Sequence, residues 1–267
     1  MARTRVRIAS LLALTTALAL TAGCGGSSDA SSKDDGHTRD GAPVVVATTT
    51  WEGAFAKAAG AKDVKVIVPQ SVQHAPDYDP KPSDLAAVAD ADFVLYAPFE
   101  PYAEKIKAAA GSDAKLVEVN LDNDAGKVTG EVARLGKLFG TESAATMWQK
   151  GFGAQYGGLQ RELKAAWPGG KAPSVVTQVF TAWSAKMAGA QVVGTYGPEA
   201  VSAKQLSELS AKKPALVLDN AHMSTGTVLP DSGAEQVKIV NFPGKDLDLL
   251  PVYRAAASAL KAALAKP

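Results

Sequence analysis

Residues 69–100, PQSVQHAPDYDPKPSDLAAVADADFVLYAPFE, constrain the fold more than any other stretch of this chain. They follow the β-branched run Val64, Val66, Ile67 and Val68, which stops at Pro69 because proline has no N–H to give to a sheet ladder. Pro76, Pro80 and Pro82 fix φ and hold the residues before them extended, so a stiff loop presents His74, Asp77, Tyr78 and Asp79. Ser83 or Asp84 then stands where a helix cap belongs, ahead of Leu85, Ala86, Val88, Ala89 and Ala91, and FVLY at 93–96 opens a second strand. Strand, crossover helix and strand predict a parallel βαβ unit. Ligands of such sheets bind beyond the carboxyl ends of the strands, where the His74 loop and the loop carrying Glu100 both fall.

The same alternation extends in both directions. VVVATTT at 44–50 is a buried-type strand, and Trp51, Ala54, Phe55 and Ala58 give the following helix its apolar face. Trp51 stands where that strand meets its helix, as a wall of the cleft or as a core aromatic stapling helix to sheet. Further strands are expected at 116–121, 174–180, 191–194 and 216–219 and in VKIV at 237–240, with helices at 102–110, 128–139, 143–167 and 252–265. The helix at 143–167 carries Trp148, Phe152, Tyr156, Leu159 and Leu163 at close to i, i+4 spacing, while Gly151, Gly153, Gly157 and Gly158 leave it dependent on tertiary contacts. The expected architecture is α/β: two lobes, each a mostly parallel sheet with flanking helices, joined by one long helix.

The chain begins with three arginines, a Leu/Ala run too short to span a bilayer, and Thr21-Ala22-Gly23-Cys24. This ending resembles the lipobox of bacterial lipoproteins and implies a signal peptide at 1–23 with acylation of Cys24. Cys24 is the sole cysteine, which excludes an internal disulfide and a Cys-based zinc cluster. Residues 24–42 are rich in Gly, Ser and Asp and read as a tether that includes His37. The formal net charge of +1 shows no basic excess that would suggest nucleic acid. No nucleophile elbow, H-E-x-x-H or Ser/His/Asp arrangement is present, so a binding protein without a catalytic cofactor is expected rather than an enzyme.

DYDPKPSDLAAVADADFVLYAPFEPY resembles the H-x-Y-E-P-x-P-S-D-L, A-D-hydrophobic and N-G-x-x-x-E-x-W features of the solute-binding proteins that feed zinc and manganese ABC importers. The resemblance continues through the Pro198-Glu199 turn and its helix, and implies lobes at 43–140 and 169–267 with the linking helix at 141–168. It implies a zinc or manganese ion as transported ligand, a permease with its ATPase as partner, a monomer, and a place on the outer face of the cell membrane, held by lipid. At the family's metal positions this chain departs from the pattern. The first family histidine coincides with Pro76 while His74 lies two residues earlier, the second is absent from LDNDAGKVTG, and Gln178 and Asn241 occupy the third and fourth.

Two ligand sets follow. A rearranged metal site would use His74, His222 and the carboxylates Asp77 or Asp219, since three N/O ligands suffice for zinc or manganese with water completing the shell. A site for a small organic ligand or metal chelate would use Trp51, Gln178, Asn241 and Tyr78, with Glu100 also in the pocket, because amides suit hydrogen bonds better than a bare cation.

Overall fold

The computed structural model describes residues 43–69, 72, 78–110, 115–224 and 226–266. The signal and tether, Cys24, His74 and Asp77 lie outside the described residues. Among the described residues, no helix is long and apolar enough to cross a membrane.

Eight strands form two four-stranded sheets, parallel throughout. In the first, β1 (Val44–Ala47) lies between β2 (Asp63–Val66) and β3 (Phe93–Tyr96), and β4 (Lys115–Glu118) closes the far edge. In the second, β5 (Ser174–Gln178) lies between β6 (Gln191–Tyr196) and β7 (Leu216–Asn220), with β8 (Glu235–Ile239) outside. The orders β2-β1-β3-β4 and β6-β5-β7-β8 are one topology used twice, although no sequence repeat announces it. Each order reverses beside its first strand, the crevice where such sheets hold ligands.

The strand at 44–50 ends sooner than its β-branched run suggests. Thr49 is extended and caps α1 (Thr50–Ala58) in a capping box with Glu52, so the last threonines start the helix instead of lengthening β1. Strand β2 stops at Val66, yet Ile67 and Val68 still donate main-chain hydrogen bonds to Ala47 and Thr48. The strand expected to reach 180 ends at Gln178, where a 3-10 turn over Val179–Thr181 leads into α6 (Ala182–Ala188). Helix α2 (Pro82–Ala89) starts with proline in its first turn. Its cap comes from the Asp84 carboxylate, which accepts from the Lys81 N–H.

Helix α4 (Ala125–Phe139) buries Val128, Val132, Leu135 and Phe139, is capped by Asp124 and ends at left-handed Gly140. The long helix α5 (Glu142–Ala165) runs between the lobes, against α4 on one side and α8 (Leu250–Leu264) and α6 on the other. Its glycines are tolerated because aromatic packing holds it. Trp148 stacks on Phe152 at 4.9 Å, and Phe152 meets Tyr253 of α8 edge-on at 5.0 Å. The remaining helices, α3 (Ala103–Ala109) and α7 (Ala203–Ser210), cover the outer faces of the two sheets.

The close approach of α4 and α5 depends on Gly136, where an added Cβ would stand 2.5 Å from the Ala145 methyl. Gly130, one face round, is exposed with nothing within 4 Å. Gly136→Val is expected to cost about 2 kcal/mol in urea unfolding, by overpacking. Gly130→Ala should gain roughly 0.5–1 kcal/mol, by removing backbone entropy from the unfolded chain.

Candidate functional site

The carboxyl ends of both sheets meet at one junction between the lobes, where the turns after β1 and β4 contact the segment after β8, and the turn after β7 adjoins it. On the first lobe, α1 places Trp51 at the junction, largely buried, with its ring edge-on to Phe242 of the second lobe at 5.0 Å. Phe242 in turn meets the His222 imidazole edge-on at 4.8 Å. Buried hydrogen bonds reinforce this contact: the Thr50 hydroxyl donates to the Pro243 carbonyl at 2.9 Å, and the Asn123 amide donates to the Asn241 carbonyl at 2.9 Å.

His222 follows β7, its N–H donating to the Asn220 side chain at 3.0 Å. Partial desolvation lowers the imidazole pKa and favours the neutral ring. Asp219, two residues into the strand end, is buried. Its carboxylate accepts from the Tyr196 hydroxyl at 2.7 Å, the Ser224 hydroxyl at 2.6 Å and the Gln236 amide at 3.0 Å. It therefore braces the turn that carries His222. Among the described residues, no three His, Cys, Asp or Glu side chains come together as a metal-holding group.

Gln178 and Asn241 are both buried and engaged within the lobe. Gln178 Oε1 accepts from the Phe180 N–H at 2.7 Å, while its Nε2 has no partner and lies against Gly197. Asn241 Oδ1 accepts from the Trp183 indole at 2.9 Å, and Nδ2 donates to the Phe180 carbonyl at 3.1 Å. Tyr78 is turned to Asp84, donating at 2.7 Å. A single sequence does not reveal these long-range partners.

Glu100 is buried at the carboxyl end of β3, accepting from the Ala97 N–H and from the Tyr102 hydroxyl, each at 3.0 Å. Sequence reasoning missed its neighbour Glu52, although the capping pattern from Thr49 to Glu52 was there to be read. Glu52 is fully buried, and one carboxyl oxygen accepts from the Thr49 N–H and hydroxyl. The other has no hydrogen-bond donor, and Glu100 lies within hydrogen-bonding reach. Burial first, and then the charge of Glu100, push Glu52 up from 4.5 to about 8. Burial raises Glu100 as well. Burial and the Glu100 charge accordingly favour the protonated form of Glu52 at neutral pH.

This pair makes stability fall with rising pH. The unfolded chain releases the Glu52 proton near 4.5 and the folded one only at about 8, so between those values the folded state holds the extra proton. The wild-type melting temperature should therefore drop across that window and level off above it as far as this group is concerned. Glu52→Gln, whose amide N–H replaces the acid proton, should remove most of the drop in thermal scans taken at several pH values.

Residues 45–138 match the family model described as zinc-uptake complex component A, periplasmic. No curated protein matches the chain in sequence. Among solved structures, the laminin-binding protein Lmb of Streptococcus agalactiae, described as having adhesin and metal-transporting activity, is similar with a TM-score of 0.61 and 18% identity, over 83% of this chain and 99% of that one. FpvC of Pseudomonas aeruginosa, solved with Mn2+, gives a TM-score of 0.62 at 16% identity over 84% and 97% of the two chains. The metal-dependent lipoprotein YcdH of Bacillus subtilis gives 0.56 at 19% identity over 82% and 97%. The chain thus has the fold of these solved proteins, and within it residues 45–138 match the zinc-uptake component A model.

Proposed function

We propose that this protein is the solute-binding component of an ABC importer, capturing a zinc or manganese ion at the junction between its lobes and delivering it to a membrane permease with its ATPase. The observation that carries this reading is the His222 imidazole, kept neutral by desolvation at the carboxyl end of β7 and linked through Phe242 to Trp51 of the opposite lobe. A neutral ring offers the lone pair that a transition metal needs. His74 and Asp77 are the proposed ligands from the first lobe, with water completing the shell. Asp219 joins this set by exchanging one of its present hydrogen bonds, or else supports His222 from behind. The role is one of binding and release, not catalysis.

A second reading keeps the importer and replaces the ion with a small organic ligand or metal chelate. The buried Gln178 Nε2, a donor without an acceptor, favours it. In either case Cys24 carries the lipid that holds the protein to the outer face of the membrane.

Calorimetric titration of metal-free protein with zinc and manganese separates the two readings. Stoichiometric binding is expected, with His74→Ala and His222→Ala each losing most of the affinity. Affinity should also fall as pH drops through roughly 6 to 7, with the His222 contribution persisting to lower pH than that of an ordinary imidazole. No uptake of either metal would give the site to the organic ligand. Cys24→Ala is expected to move the protein from the membrane fraction to the soluble fraction of cells, and its retention in the membrane would remove the anchor.

A further inference from the structure

At the carboxyl ends of β1 and β3, two carboxyl groups and a hydroxyl of the first lobe lie together. Glu52 and Thr48 are fully buried and Glu100 is 7% exposed. One Glu52 oxygen accepts from the Thr49 N–H at 3.1 Å and from its hydroxyl, while Oε1 has no hydrogen-bond donor. Glu100 accepts from the Ala97 N–H on one oxygen and from the Tyr102 hydroxyl on the other, which leaves each oxygen a second lone pair. The Thr48 hydroxyl, at the end of β1, stands beside Glu100 and lowers its pKa, but completes no hydrogen bond.

Buried carboxylates meet a cationic side chain or a metal ion, or they take up protons. Ion pairs among the described residues are all made by other acids, so no described Lys or Arg neutralises Glu52 or Glu100. Burial raises both acids, Glu52 to about 8, and raises Tyr102 beside them, which therefore stays a neutral phenol. A dication would cancel both negative charges and would give Glu52 Oε1 and the Thr48 hydroxyl the partner that each lacks. Oxygen donors without nitrogen or sulfur suit manganese, magnesium or calcium. Solvent is one residue away, since Phe99 and Pro101 on either side of Glu100 are exposed.

We propose that Glu52, Glu100 and the Thr48 hydroxyl form a binding site for an oxygen-preferring divalent cation of the manganese class. The ion takes the place of the Glu52 proton, which leaves to solvent, and ties the turn after β1 to the turn after β3. The site uses none of the side chains proposed above for the transported ion, so its test runs on protein that lacks those ligands.

Metal-free protein carrying His74→Ala and His222→Ala together is titrated with manganese chloride, and free Mn2+ is read by electron paramagnetic resonance. We expect uptake of about one ion per chain, with affinity rising roughly tenfold per pH unit up to about 8 and levelling above it as the Glu52 proton is lost. Calorimetry in buffers of different ionisation enthalpy should show the released proton at neutral pH. Adding Glu52→Gln, which keeps an oxygen for the Thr49 donors, should weaken binding by more than about tenfold. Thr48→Val should weaken it in the same direction, and Glu208→Gln on exposed α7 should leave it unchanged. Absence of Mn2+ uptake at about pH 8.5, uptake that survives Glu52→Gln in a protein with an unaltered melting profile, or an equal loss with Glu208→Gln overturns the proposal. The junction site is judged separately: it requires the parent to bind a second ion that the two histidine changes remove, and its failure leaves the Glu52 site standing.

Discussion

The buried hydrogen bond from the Asn123 amide to the Asn241 carbonyl is the contact on which the relation of the two lobes depends. Asn123 closes the turn after β4, and Asn241 follows β8. Removing the Asn123 amide would leave the buried Asn241 carbonyl without this donor, at a cost of about 1–3 kcal/mol. The Tyr253 hydroxyl of α8 donates to the Asn123 carbonyl, so the same residue is held from the carboxy-terminal helix. With the Thr50 bond to Pro243 and the insertion of Phe242 between Trp51 and His222, the lobes are joined by directional contacts across the junction. Helix α5 joins them on the other side. A joint of this kind allows small adjustments around a ligand and resists a wide hinge opening.

Beneath the first-lobe side of that joint, Glu52 and Glu100 show how secondary structure and burial oppose each other. The amino end of α1 favours a carboxylate at its third residue, and Thr49 supplies two donors to it. Burial away from water and the nearby Glu100 carboxyl act in the opposite sense, and they prevail. Protonation of Glu52 reduces the negative charge at this end of the sheet and lets two acidic side chains stay inside the lobe. The electrostatic contact of Glu52 with Glu100 also couples the turn after β1 to the turn after β3.

Most of the fold was legible because it depends on local patterns. β-Branched runs such as VVVA and FVLY, the prolines at 69 and 82 and the aromatic stripe of α5 located strands, breaks and the long helix within a few residues. Where boundaries shifted, a specific hydrogen bond was responsible, as when the Thr49 cap turned the end of a β-branched run into the start of α1. The site was less legible because its contacts are long-range. The partners of Asp219 lie on β6, on the turn after β7 and on β8, and those of Asn241 on the turn after β5 and on α6. No spacing rule in one sequence connects them. Glu52 was legible as a cap, but its pairing with Glu100 requires knowing that β1 and β3 are neighbours.

Gln178 and Asn241 both act on the main chain of Phe180, and this explains why amides suit these positions. Gln178 Oε1 takes the Phe180 N–H, while Asn241 Nδ2 gives to the Phe180 carbonyl. An aspartate at 241 would still accept from the Trp183 indole, but its second oxygen would face the Phe180 carbonyl, two acceptors with no proton between them. The third and fourth of the positions where the resembled family holds its metal are thus occupied by side chains that fasten the turn after β5 and orient Trp183 under the junction. Among the described residues, His222 is the one imidazole at the junction, set on the same Phe242 that carries the contact to Trp51.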